Sequence, residues 1–100
     1  MKAFEIAKKV VEKFGTRDVF AIAEKSGVKI VYESWHPSTL GEFDKKAHTI
    51  CVNLRAVAEN KVLKETIVAH ELGHFFAAEF NFDRKTEESF AEEFAGELLK

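Results

Sequence analysis

One hundred residues allow one domain, spanning 1–100, whose core has little margin. Hydrophobic residues make up 46% and charged residues 32%, an ordinary globular composition, and a net charge of −2 speaks against a nucleic-acid footprint. No apolar run approaches the roughly 18 residues of a membrane span, and the single Cys51 cannot form an internal disulfide, so a reducing compartment is expected.

Residues 2–14 place Phe4, Ile6, Ala7, Val10, Val11 and Phe14 at i, i+3, i+4 spacing among lysines and glutamates. That pattern predicts an amphipathic helix closed by Gly15, not a signal peptide, and it points to the cytoplasm. Thr16 is expected to cap a second helix over 17–26, with Gly27 as its stop. The β-branched run 28–32 predicts a strand, and 33–39, with Trp35, His36 and Pro37, a loop. Residues 40–43 and 49–53 flank Asp44-Lys45-Lys46-Ala47-His48 and read as a β-hairpin. A helix over 61–79 follows, broken at 81–84, and 86–99 form the last helix. The order predicts an α+β domain with a small, mainly antiparallel three-stranded sheet packed by helices. Most of the ten phenylalanines are expected in the core.

His70-Glu71-Leu72-Gly73-His74 is the chemical signal in the chain. Histidines at i and i+4 share one side of a helix, with Cβ atoms roughly 5–6 Å apart, so both imidazoles can reach one metal ion. Glu71 sits about 100° round from His70 and leans beside that ion, where a carboxylate can take a proton from water. In a chain with 4 His and 14 Glu, H-E-x-x-H arises by chance in roughly 2% of sequences, so the surroundings decide. Ile67, Val68, Ala69, Leu72, Phe75, Phe76, Ala77 and Ala78 surround the motif, which predicts a buried helix. Buried histidines and a glutamate without partners are costly, and a metal removes that cost.

A catalytic zinc site commonly has three protein ligands and an open position. Candidates for the third are His36, His48, Cys51, the aspartates and the late glutamates. On the last helix Phe90, Ala91, Phe94, Ala95, Leu98 and Leu99 form the apolar face. Glu87 points near the middle of that face. Glu88 lies at its edge, on a row with Ala91 and Ala95 whose small side chains admit a neighbouring helix. Periodicity leaves both open, while Glu92 and Glu93 are expected in solvent.

Three segments carry a resemblance. They are Ile50-Cys51-Val52-Asn53, then Ile67-Val68-Ala69-His70-Glu71-Leu72-Gly73-His74, then Glu88-x-x-Ala91-x-x-Phe94-Ala95-Gly96-Glu97-Leu98-Leu99. Together they resemble the ImmA/IrrE family of metallopeptidases over roughly half the chain. The two leading helices and the strand after Ser26-Gly27 are also of that type. The resemblance implies a zincin-like domain with Glu88 as the third ligand beside His70 and His74, and Glu71 as general base. It implies Zn²⁺, with Mn²⁺ as the alternative ion, in a gluzincin-like metallo-endopeptidase. It also implies a cytoplasmic regulatory protease cutting a protein such as a DNA-binding repressor; charge and the lack of a long apolar run speak, separately, against direct nucleic-acid or membrane partners. The family usually has Asn or Asp where this chain has Glu92, and Met-Pro after the two leucines, where this sequence reaches Lys100.

Two other functions compete. A metal-bound interaction protein without turnover, such as a toxin–antitoxin-type partner, would share the ligands, although it would have no need of Glu71. A DNA-binding module would use residues 16–28 as the start of a helix-turn-helix, but the next segment reads as strand and no basic face accompanies it. Oxyanion donors beyond the metal could come from Tyr32, His36, His48 or Arg55. A substrate peptide is expected to add to the sheet edge formed by 40–43 or 49–53. Neither oligomeric state nor target is legible.

Overall fold

The motif helix is the hub around which the other elements are arranged. The computed structural model describes residues 2–35, 39–58 and 60–100. Helices α1 (Ala3–Phe14) and α2 (Val19–Lys25) precede strands β1 (Lys29–Glu33), β2 (Gly41–Asp44) and β3 (Thr49–Asn53). The short α3 (Leu54–Val57), the motif helix α4 (Lys61–Ala77) and α5 (Arg84–Leu98) complete the chain, with a 3₁₀ turn, Ala78–Phe80, between the last two.

The α+β class and the three strands are as expected, but the sheet is mixed rather than mainly antiparallel. Its order is β1-β3-β2. β3 pairs antiparallel with β2, as the hairpin requires, and parallel with β1, Val31 lying opposite Cys51. Burial explains the order. Ile50 and Val52 of β3 are fully buried, so this strand takes the centre. β2 exposes Glu42 and Asp44, and charged side chains suit an edge. β3 is therefore no edge, which removes 49–53 as a surface for an added strand.

The helix boundaries follow their caps. Gly15 adopts φ 68°, a left-handed conformation that glycine takes without steric cost, and its N–H reaches the Val11 carbonyl. The cap of α2 is Asp18 rather than Thr16: its carboxylate accepts from the N–H groups of Phe20 and Ala21. Thr16 Oγ1 accepts instead from the Asp18 N–H at 3.0 Å. Asp83 caps α5 by accepting from the Thr86 N–H, so that helix starts two residues before the expected 86. Since β1 follows α2 directly, no recognition helix of a helix-turn-helix is formed.

The core runs from α1 and α2 through α4 to α5. Ile22, Val68, Leu72 and Phe94 are almost wholly excluded from solvent. The phenylalanines mostly serve packing, as expected: Phe76 stacks on Phe94 at 5.3 Å, and Phe43 meets Phe75 edge-on at 5.7 Å. Phe80 remains 39% exposed. Asn53, fully buried, staples the chain before β2: its Nδ2 donates to the carbonyls of Trp35 and Thr39, and its Oδ1 accepts from the N–H groups of Trp35 and Arg55. Arg17 Nη1 donates to the Glu97 carbonyl at 2.7 Å, which ties the start of α2 to the end of α5. Among the described residues no helix is long and apolar enough to cross a membrane.

Candidate metal centre

His70 and His74 stand one turn apart on α4, their ring centroids separated by 5.0 Å. The residue between them that matters most for geometry is Gly73. A Cβ at that position would lie 2.6 Å from the Ala91 Cα and 3.0 Å from its carbonyl oxygen. Only glycine lets the backbones of α4 and α5 come so close. Ala91 lies three residues beyond Glu88, so this contact brings Glu88 over the histidines. Gly73→Ala is therefore expected to destabilise the fold by about 1–3 kcal/mol through overpacking, and to weaken metal binding by moving Glu88. Melting curves and metal titration check this, and a variant matching wild type in both would show that the contact is not constraining.

The donor atoms converge. His70 Nε2 lies 2.7 Å from Glu88 Oε1, and His74 Nε2 lies 3.2 Å from Glu88 Oε2. One ligand atom from each of the three residues falls within 4.8 Å of the others. Two imidazole nitrogens and one carboxylate meeting at one point form a donor set that suits Zn²⁺, and Mn²⁺ through the carboxylate. Glu88 is 52% exposed, which leaves the centre open on its solvent side.

Periodicity left Glu87 and Glu88 both open as the third ligand, and the geometry separates them. Glu88 joins the converging group. Glu87 instead puts Oε2 2.7 Å from His74 Nδ1, the other ring nitrogen, and Oε1 3.4 Å from Lys45 Nζ. Burial alone would raise the Glu87 carboxyl, but its bonds to His74 and Lys45 outweigh that and hold it below the usual glutamate value. Glu92 and Glu93 are exposed, as expected.

Glu71 is buried at 8% exposure, beneath the edge strand. A Cβ on Gly41 would lie 3.8 Å from Glu71 Cγ and 2.5 Å from Ile67 Cγ2, so β2 passes close over the motif helix here. Burial pushes the Glu71 carboxyl up from its ordinary value, against a smaller downward pull from His74 and His70.

A cleft of about 650 Å³ opens between β2 and the two helices, and Gly41, Phe43, His70, Glu71, His74 and Glu88 are among its walls. Tyr32, His48 and Arg55, candidates for oxyanion donors, do not line it. Tyr32 lies under Lys64, and His48 packs edge-on against Phe75. His36 lies outside the described residues. Cys51 alternates with the buried Ile50 and Val52 and so points to the other face of β3. Lys45 and Arg84 line the cleft instead, and sequence reasoning missed both. A lysine in a polar turn and an arginine in a helix-breaking segment carry no periodic signal that would have found them.

Protein-family models, curated proteins and solved structures yield no match to this chain.

Proposed function

We propose that the chain is a zinc-dependent, gluzincin-like metallo-endopeptidase of the ImmA/IrrE type, with a zincin-like domain. Its role would be that of a cytoplasmic regulatory protease acting on a protein such as a DNA-binding repressor. One observation carries this: the Glu88 carboxylate lies within hydrogen-bond reach of the Nε2 atoms of both motif histidines. Glu71 is buried in the same cleft.

His70, His74 and Glu88 would hold the metal, which when bound supplies Lewis acidity toward water and toward the scissile carbonyl oxygen. Glu71 accepts the proton from water at its carboxylate. The hydroxyl adds to the carbonyl carbon, the C–N bond breaks, and Glu71 passes the proton to the leaving nitrogen. A metal-bound partner without turnover would use the same ligands, but a buried carboxylate aimed into the cleft favours chemistry.

The test is cleavage of candidate repressor proteins, followed by gel and mass spectrometry. Cleavage is expected to stop on treatment with a chelator and to return when Zn²⁺ or Mn²⁺ is added. A metal-loaded protein that binds such a repressor without cutting it would sink the peptidase reading in favour of the interaction protein.

The substrate peptide would add to β2. The Asn53 N–H donates to the Leu40 carbonyl at 3.0 Å, so the antiparallel alternation turns the N–H and C=O groups of Gly41 and Phe43 away from β3. Those groups could hold an extended backbone along the cleft. Phe43→Pro removes one donor and the ring, while Phe43→Ala removes only the ring. The proline variant should show a KM roughly 2- to 10-fold above that of the alanine variant, the worth of one hydrogen bond. Equal KM values in two folded variants would dismiss docking on this edge.

A further inference from the structure

We infer that Glu87 is a positioning residue that orients His74 for metal binding, with Lys45 of the β2–β3 hairpin anchoring Glu87 in turn. The inference rests on His70, His74 and Glu88 being the metal ligands. It adds a part for a carboxylate outside that set.

An imidazole has two nitrogens, and one can ligate only if its lone pair is free. α5 offers successive glutamates to the two nitrogens of His74. Glu88 Oε2 lies 3.2 Å from Nε2, and Glu87 Oε2 lies 2.7 Å from Nδ1. A carboxylate there accepts a hydrogen bond from Nδ1–H. That places the ring proton on Nδ1 and leaves Nε2 as the ligand atom, and it fixes the plane of the ring. Both side chains are largely withdrawn from water, at 15% and 17% exposure, so solvent competes little for this bond. Among the described residues no carboxylate holds Nδ1 of His70, so the two histidines are supported unequally. Lys45 reaches Glu87 Oε1 at 3.4 Å and is itself 60% exposed. That pair is screened, and it steadies Glu87 less than Glu87 steadies His74.

The test needs no hydrolysis. Zn²⁺ affinity of the metal-free full chain is measured by competition with a chromophoric chelator. Glu87→Ala is expected to weaken binding by about 10–100-fold, the usual range for losing an orienting partner. Glu87→Gln keeps an oxygen that can accept from Nδ1–H and should recover part of that loss. Lys45→Met should cost no more than about 5-fold, and Glu92→Ala, exposed and outside the converging donors, should match wild type. ¹⁵N spectra of the zinc-loaded protein should show His74 bound through Nε2 and protonated at Nδ1. Wild-type affinity in Glu87→Ala, or His74 bound through Nδ1, would overturn the inference. So would a loss in Glu87→Ala as complete as in Glu88→Ala, which would make Glu87 a ligand. A wild-type chain that takes up no Zn²⁺ would instead remove the metal site, and this inference with it.

Discussion

Glu71→Gln is expected to abolish peptide hydrolysis while leaving the metal bound. Glutamine has the shape of glutamate but cannot take the proton from water, and a general base contributes about 10²–10⁴-fold to rate. Glu71 is not among the converging donor atoms, so the metal content of the variant should equal that of wild type. The pairing of the two measurements matters, because loss of activity together with metal would indicate a collapsed site. Turnover at the wild-type rate in a metal-loaded variant would remove Glu71 from the role of base. The metal-free proteins give a second reading. Burial raises the folded-state value of Glu71 above its ordinary 4.5. Below 4.5 the group is protonated whether folded or unfolded. As pH rises from there through the raised folded value, the folded state holds the proton more tightly, so wild type loses stability. Glu71→Gln lacks this term, and its melting temperature should gain on wild type over that window. Parallel melting curves across the range would contradict a raised carboxyl.

The second large effect is on metal content itself. Wild type should carry one divalent ion per chain, and Glu88→Ala and His74→Ala should carry none after gel filtration. The reason is geometric: each substitution removes one of three donors that converge within 4.8 Å, and the two ligands that remain hold a divalent ion poorly. Glu92→Ala should retain the ion, because its carboxylate is exposed and is not among the converging donors. Elemental analysis of the purified variants decides this. If Glu87→Ala empties the site while Glu88→Ala leaves it full, the two glutamates have been assigned the wrong way round.

Much of this centre is legible along the chain because it is local. His70 and His74 meet because the helix repeats every 3.6 residues, and the apolar residues around them announce a buried helix before any fold is known. The hairpin 40–53 and the five longer segments of structure are local too, set by turn chemistry and hydrophobic period. The row Glu88, Ala91, Ala95 even signals that a helix could approach α5 closely, and Gly73 against Ala91 is that approach.

Whatever depends on neighbours within a turn or a hairpin can be read along the chain: the motif, its helix, the α+β class and a short set of third-ligand candidates. Tertiary structure alone decided the rest. Nothing in the run 29–33 says that β1 lies parallel to β3 rather than beside β2; burial of Ile50 and Val52 puts β3 in the centre. Periodicity places Glu87 and Glu88 about 100° apart on one helix but not which of them reaches the Nε2 atoms of both histidines. That depends on where α5 crosses α4, and the crossing depends on a missing side chain at Gly73 and a small one at Ala91, eighteen residues apart in sequence. Lys45 and Arg84 reach the cleft through the same packing. Contacts between distant segments are set by which surfaces fit together, and a pattern along one segment carries no record of the surface it will meet.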